Sequence, residues 1–154
     1  MRQAIDRRSA LGICVGGAAG AALFASSRPS YAAATTFKAS LKGSSEVPPN
    51  TTAGTGSVTM TYDPATKELT WDGTYSGMTG PVTAAHIHGP AEPGKNAGVV
   101  LWLSTKGQPF PSPFKGSAKL TDAQANDLMS GQYYVNIHTA ANPGGEIRGQ
   151  LDKS

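Results

Sequence analysis

The chain has 154 residues, with 13 basic and 10 acidic side chains and a single cysteine. Four of the basic residues, one acidic residue and the cysteine lie within the first 34, so the remaining 120 residues carry no net charge and no disulfide. A neutral chain of that length can bury the core of one domain. It lacks the positive charge typical of nucleic-acid-binding proteins, which excludes nucleic-acid partners.

Residues 1–34 have the pattern of a cleaved export signal. A basic start, which includes Arg7-Arg8, precedes an uncharged apolar run at 11–25 that is shorter than the roughly 20 residues of a membrane-spanning helix. The arginine pair indicates twin-arginine export, with the general secretory route as the alternative. We therefore expect a mature domain at 35–154 that is periplasmic or secreted and has no membrane attachment once the signal is removed. Its oligomeric state cannot be read from the sequence.

The mature part consists of short runs rich in Val, Thr and aromatic residues, separated by Gly, Pro, Asn and Asp. Such runs predict β-strands joined by turns, and the Asp63-Pro64 turn predicts a hairpin between the second and third strands. Eight strands are predicted, at residues 36–41, 57–62, 68–75, 81–88, 99–104, 114–120, 133–139 and 146–151.

One helix is predicted between the sixth and seventh strands. Thr121 and Gln124 have the spacing of a capping box, and Gly131 marks the end of the helix. Short strands at close spacing with one short helix are typical of an all-β fold, an antiparallel Greek-key sandwich or barrel of about eight strands. Trp71 and Trp102 are expected to anchor its core.

The three histidines of the chain all lie in predicted strands. His86 and His88 are two residues apart, so their rings leave the same face of a strand with Cα atoms about 7 Å apart. His138 belongs to another strand, in which Tyr134 and Asn136 share its face. Three imidazole ligands favour one copper ion, with zinc as the alternative, and leave a coordination position open. The competing interpretation is that these are surface or hydrogen-bonded histidines without a metal.

Arg148 is the next candidate functional residue. It alternates with Glu146, so both side chains share a face, which predicts a salt bridge between them or a structural hydrogen bond from Arg148 to a loop. The functional alternative is a catalytic arginine that attracts a small anion to the metal. Asn136 could either orient a ligand histidine or satisfy a buried backbone group, and the spacing does not separate these two roles.

Three segments resemble the signature of the CHRD domain, which is named after chordin. They are AHIHGPA at 85–91, YYVNIHT at 133–139 and PGGEIRGQL at 143–151. The segments occur in the expected order, and the resemblance extends from Phe37 to Leu151. It implies a single CHRD domain that fills the mature chain.

A weaker resemblance is to the copper-zinc superoxide dismutases, in which a His-x-His strand, a third copper ligand and an arginine follow one another in a β-sandwich. His86, His88, His138 and Arg148 occur in the same order. The resemblance implies that the histidines hold copper and that Arg148 attracts superoxide, which would be converted to dioxygen and peroxide. The chain lacks a bridging histidine, a zinc site and that family's disulfide. The resemblance therefore implies a copper-only variant, and the absent bridging ligand puts its proton delivery in doubt.

Three functions remain open at the level of sequence. They are a copper-only enzyme similar to superoxide dismutase, a copper-binding protein for buffering or delivery, and a protein-interaction module with structural histidines. The separation of the three rings distinguishes the first two from the third. We expect the imidazoles of a metal site to lie within about 4 Å of a common point, because metal–nitrogen bonds are roughly 2 Å long.

Overall fold

The structure is a computed structural model that describes residues 33–154. The predicted export signal at 1–34 lies outside the described residues, apart from its last two positions. Within the part of the chain that the structure describes, no helix is long and apolar enough to cross a membrane.

The eight predicted strands and the predicted helix are all present. The helix begins after Thr121, whose side chain accepts a hydrogen bond from the backbone of Gln124, while the Gln124 side chain accepts one from the backbone of Thr121. A ninth strand of only two residues was not predicted, because so short a segment carries no periodicity. The elements are β1 (Thr35–Lys42), a 3-10 turn (Gly43–Ser45), β2 (Thr55–Asp63), β3 (Glu68–Ser76), β4 (Val82–His88), β5 (Val99–Trp102), β6 (Phe114–Lys119), α1 (Asp122–Met129), β7 (Tyr134–Thr139), β8 (Ile147–Gln150) and β9 (Asp152–Lys153).

The strands form one curled antiparallel sheet, a half-barrel, which confirms the all-β antiparallel fold class. The strand order is β5-β4-β7-β8-β1-β2-β3-β6, and β9 pairs with β1. Strands β1, β2 and β3 are sequential neighbours, whereas β7 lies between β4 and β8. This order brings His138 beside His86, although the two residues are 52 positions apart in sequence.

The hydrophobic core lies on one face of the sheet and includes residues of α1. Ile87, Val135 and Ile137 are buried in it, in agreement with the predicted alternation of β4 and β7. Trp71 is also buried there, as predicted, but Trp102 is 45% exposed. The prediction for Trp102 was wrong because β5 is an edge strand, which the sheet covers on one side only. The largest fully buried apolar side chains are Tyr133, Phe37, Leu41, Met60, Leu69, Ile87, Leu128, Ile137, Ile147 and Leu151.

The opposite face of β4, β7 and β8 is also covered. All six residues of β7 are buried, so this strand has no face in solvent. Two loops, at 43–54 and 89–98, hydrogen-bond to side chains of this face, and we call them the cover loops. We call the side chains of the three strands that point away from the hydrophobic core the polar face. Its members are His86, His88, Tyr134, Asn136, His138, Arg148 and Gln150.

Candidate metal centre

The three histidines converge on the polar face. Ala84 of β4 pairs with His138 of β7, and His86 pairs with Asn136, so His138 is a diagonal neighbour of His86. The ring centroids are 4.9 Å apart for His86 and His138, and 5.4 Å apart for His86 and His88. One ring nitrogen of each histidine lies within 4.8 Å of those of the other two. The described residues therefore contain a three-histidine group that could hold a metal ion.

Two main-chain carbonyl groups fix the proton positions on two of the rings. His88 Nδ1 lies 3.0 Å from the carbonyl oxygen of Ala97, and His138 Nδ1 lies 3.0 Å from that of Pro143. A carbonyl oxygen only accepts hydrogen bonds, so Nδ1 of each ring carries the proton and donates it. The Nε2 atom of each neutral ring then carries a lone pair, which is the form that binds a metal. The Nε2 atom of His88 has no other partner, whereas that of His138 faces His86 Nδ1 at 3.1 Å.

The nitrogen atoms between these rings fit a shared cation. His86 Nδ1 lies 3.1 Å from His138 Nε2, close to the separation of about 3 Å for two nitrogens bound to one metal near a right angle. The Nε2 atom of His88 is also buried, and it has no hydrogen-bond partner among the described residues. Unpartnered buried nitrogens are costly unless a ligand satisfies them, so the donor set suits a metal ion.

The electrostatics of the site favour neutral rings. Burial, together with the positive charges that His138 and His88 would carry, lowers the pKa of His86 to about 4. Burial also lowers the pKa of His88 and of His138, against the opposing effect of their carbonyl hydrogen bonds. All three imidazoles are thus neutral at physiological pH, and a metal ion does not have to displace a proton to bind.

Trp102 forms the rim of the site on the side of the sheet edge. Its ring is perpendicular to the ring of His86, with 4.1 Å between the centroids, and it is 45% exposed. His86 itself is only 7% exposed. The indole therefore separates the buried histidine from solvent at this edge.

Arg148 lies near the histidines without touching them. It is 2% exposed, and its guanidinium group donates hydrogen bonds to Asn96 Oδ1 at 2.9 Å and to the Lys95 carbonyl oxygen at 2.5 Å. Its Cζ atom lies 3.4 Å from the ring centroid of Tyr134. That ring stacks in turn on His88, with 5.1 Å between centroids and 7° between planes. One aromatic ring therefore separates the guanidinium from the histidine.

Comparison with known proteins identifies the family. A family model described as the CHRD domain matches residues 37–151, which is most of the chain. The chain belongs to the CHRD family. No curated protein and no solved structure matches it. His86, His88, His138 and Arg148 all lie within the matched residues of the CHRD domain.

Of the two predicted structural roles, Arg148 has the hydrogen bond to a loop and not the salt bridge with Glu146. This fully buried carboxylate instead accepts hydrogen bonds from Thr52 Oγ1 at 2.7 Å, from Thr79 N and Oγ1 at 2.8 and 2.7 Å, and from Thr139 Oγ1 at 2.5 Å. Burial alone would raise the pKa of Glu146, but these hydrogen bonds lower it to about 2. The carboxylate thus links a cover loop to the residue that follows His138.

The Asn136 side chain hydrogen-bonds to neither a histidine nor a backbone group of the described residues. Its Nδ2 atom donates hydrogen bonds to the two carboxyl oxygens of Glu46, at 3.2 and 3.0 Å. Burial raises the pKa of Glu46 to about 7, despite the opposing effects of this hydrogen bond and of the positive charge of Arg148. Glu46 was not predicted to be functional because an acidic residue in a loop is usually solvated. The one feature of the sequence that pointed to its burial is its position beside the apolar run Val47-Pro48-Pro49.

We expect Glu46→Gln to stabilise the CHRD domain above neutral pH. The pKa of Glu46 is about 7 in the folded protein and 4.5 in the unfolded chain. As the pH rises from 4.5 to 7, Glu46 therefore ionises in the unfolded chain but not in the folded protein, and the free energy of unfolding decreases. Above pH 7 this cost reaches about 3 kcal/mol, and glutamine avoids it while keeping an acceptor for Asn136. Urea denaturation should show almost equal stability at about pH 4.5 and a more stable variant at about pH 8. The same difference at both pH values would contradict the prediction.

Proposed function

We propose that this CHRD domain is exported, binds one copper ion through His86, His88 and His138, and dismutates superoxide at that site. The observation that carries the proposal is the convergence of three neutral imidazoles, one ring nitrogen of each lying within 4.8 Å of the others. The Ala97 and Pro143 carbonyls hold the protons of His88 and His138 on Nδ1 and leave the lone pairs on Nε2, which supports the same assignment. Export rests on the sequence pattern of residues 1–34.

Copper is favoured over zinc for this ligand set. Imidazole suits both metals, but sites with nitrogen donors bind copper(II) more tightly than zinc(II). The group contains no carboxylate, and the two buried acidic residues of the described chain, Glu46 and Glu146, have other partners. Bound copper would supply a couple between copper(II) and copper(I), which is the one-electron chemistry that dismutation requires.

The residues around the histidines would prepare the site for a small anion. The positive charge of Arg148 acts on His88, where it contributes to the lowered pKa. The same field would attract superoxide across the Tyr134 ring, without direct contact between the anion and the guanidinium. Because the mature domain has no net charge, this local field would be the main source of attraction.

Superoxide decay measured by stopped-flow tests the proposal. Wild-type protein loaded with one copper ion and dialysed extensively should accelerate the decay catalytically. The same protein loaded with zinc is the matched control, since zinc occupies the site without changing oxidation state. A second control is His138→Ala treated with copper in the same way, because loosely bound copper also consumes superoxide. Equal decay in the variant and the wild type would refute the assignment.

A second candidate is copper binding without turnover, for buffering or delivery. The observation that favours it is the burial of Arg148, which is 2% exposed and has hydrogen-bond partners on both terminal nitrogens. The guanidinium group of Arg148 is therefore not free to bind the anion. The experiment above decides between the candidates: one tightly retained copper ion with slow decay indicates a binding protein. If no copper is retained, the histidines are structural and the interaction module is favoured.

A further inference from the structure

Three successive residues of the second cover loop are held by the polar face. Arg148 donates to the Lys95 carbonyl and to Asn96 Oδ1. The hydroxyl oxygen of Tyr134 accepts a hydrogen bond from the Ala97 backbone N–H at 3.1 Å. The carbonyl oxygen of the same Ala97 accepts the Nδ1 proton of His88. Ala97 is therefore the loop residue that orients His88, and Arg148 fixes the two residues that precede Ala97.

The side chains of Arg148, Tyr134 and His88 also form a stack. The guanidinium group of Arg148 lies 3.4 Å from the centroid of the Tyr134 ring, whose other neighbour in the stack is His88 at 5.1 Å. A guanidinium stacked on an aromatic face stabilises the position of that ring. Arg148 thus constrains His88 by two routes, through the loop backbone and through the Tyr134 ring.

We propose that Arg148 is a positioning residue that fixes residues 95–97, so that the Ala97 carbonyl holds the proton of His88 on Nδ1 and leaves Nε2 free. That His88 then acts as a metal ligand rests on the proposed function, whereas the position of its proton does not. The role needs arginine because the planar group donates two hydrogen bonds in different directions and stacks at the same time. Lysine would supply one point charge without the stack.

His138 provides an internal control within the same protein. Its Nδ1 proton goes to the Pro143 carbonyl, which lies in a turn closed by the backbone hydrogen bond from Gly145 to Asn142. Arg148 makes no hydrogen bond to this turn. A change in Arg148 should therefore affect the proton position on His88 and leave that on His138 unaltered.

The test is nitrogen-15 NMR of the metal-free protein, labelled on its histidines, at about pH 7.5, where the rings are neutral. In the wild type we expect both His88 and His138 to carry the proton on Nδ1. In Arg148→Met, His88 should become a mixture of both proton positions and its Nδ1 proton should exchange faster with water. Arg148→Lys should restore the wild-type signal only in part. The His138 signal should be unchanged in both variants.

Two further measurements keep the test decisive. If Arg148→Met does not fold, Asn96→Ala removes one partner of the guanidinium and should shift His88 in the same direction. Zinc affinity, which needs no redox activity, should fall about tenfold in Arg148→Met, as for loss of other groups that orient a ligand. An unchanged His88 signal in every folded variant would overturn the inference. A wild type that shows the expected His88 signal but binds no metal would refute only the proposed function.

Discussion

Replacement of Glu146 by alanine is expected to lower the free energy of unfolding by about 4 kcal/mol at neutral pH, a large fraction of the stability of a domain this size. The substitution leaves the Thr79 backbone N–H and the hydroxyl groups of Thr52, Thr79 and Thr139 without their shared acceptor in a buried place. Urea denaturation followed by tryptophan fluorescence measures the loss.

Two comparisons separate this effect from loss of volume alone. Glu146→Gln keeps the shape but presents an amide group to several donors, so it should also be strongly destabilising. Thr139→Val removes one donor of similar size and should cost only about 1 kcal/mol. The pKa of Glu146 is about 2 in the folded protein and 4.5 in the unfolded chain. The carboxylate therefore stabilises the folded protein fully above pH 4.5, and this contribution decreases as the pH falls towards 2. Glu146→Ala should lack this part of the pH dependence, and a variant as stable as the wild type would contradict the role of the carboxylate.

Removal of one histidine is expected to have the largest effect on metal binding. His138→Ala should lower the affinity for copper(II) at least about a hundredfold, because it removes one of three nitrogen donors as well as the partner of His86 Nδ1. Competition with a chromophoric chelator measures the affinity, and electron paramagnetic resonance reports the number of nitrogen ligands. A spectrum with the same number of nitrogen ligands in variant and wild type would exclude His138 from the site.

Trp102→Phe is the matched control for this measurement. Trp102 contacts the ring of His86 but offers no atom that binds copper, and its exposure makes the domain tolerant of the change. We expect its copper affinity to remain within a few-fold of the wild-type value. A loss as large as that of His138→Ala would show that packing around His86, and not the number of ligands, determines the affinity.

Most of the fold could be predicted from the sequence because the rules involved are local. Alternation placed Ile87, Val135 and Ile137 in the core, and the capping box at Thr121 located the helix. The position of β7 between β4 and β8 does not follow from periodicity, since it depends on pairing across the chain. Trp102 was misplaced for the same reason: the sequence does not show which strand lies at the edge.

The histidines of the candidate site could be predicted from the sequence, but their surroundings could not. The spacing of His86 and His88 and the strand context of His138 indicated the group that the structure brings together. The atoms that orient two of the rings are main-chain carbonyls of Ala97 and Pro143, and a carbonyl carries no residue-type signal. The salt bridge between Glu146 and Arg148, one of two predicted alternatives, was wrong because Glu146 has donors from Thr52 and Thr79, which are distant in sequence.

The hydrophobic core and the cover loops lie on opposite faces of the sheet, and different interactions attach them to it. One face of the sheet is a hydrophobic core, whereas the cover loops are attached largely through hydrogen bonds such as those of Asn136 to Glu46, Arg148 to Asn96 and Gln150 to Ala91. Segments with few apolar contacts open locally at a lower free energy than the whole domain. The amides beneath the cover loops should therefore exchange with deuterium before those of β2 and β3. An ion could then be loaded or released during such partial opening, at a rate independent of global unfolding, while the rest of the sheet stays intact.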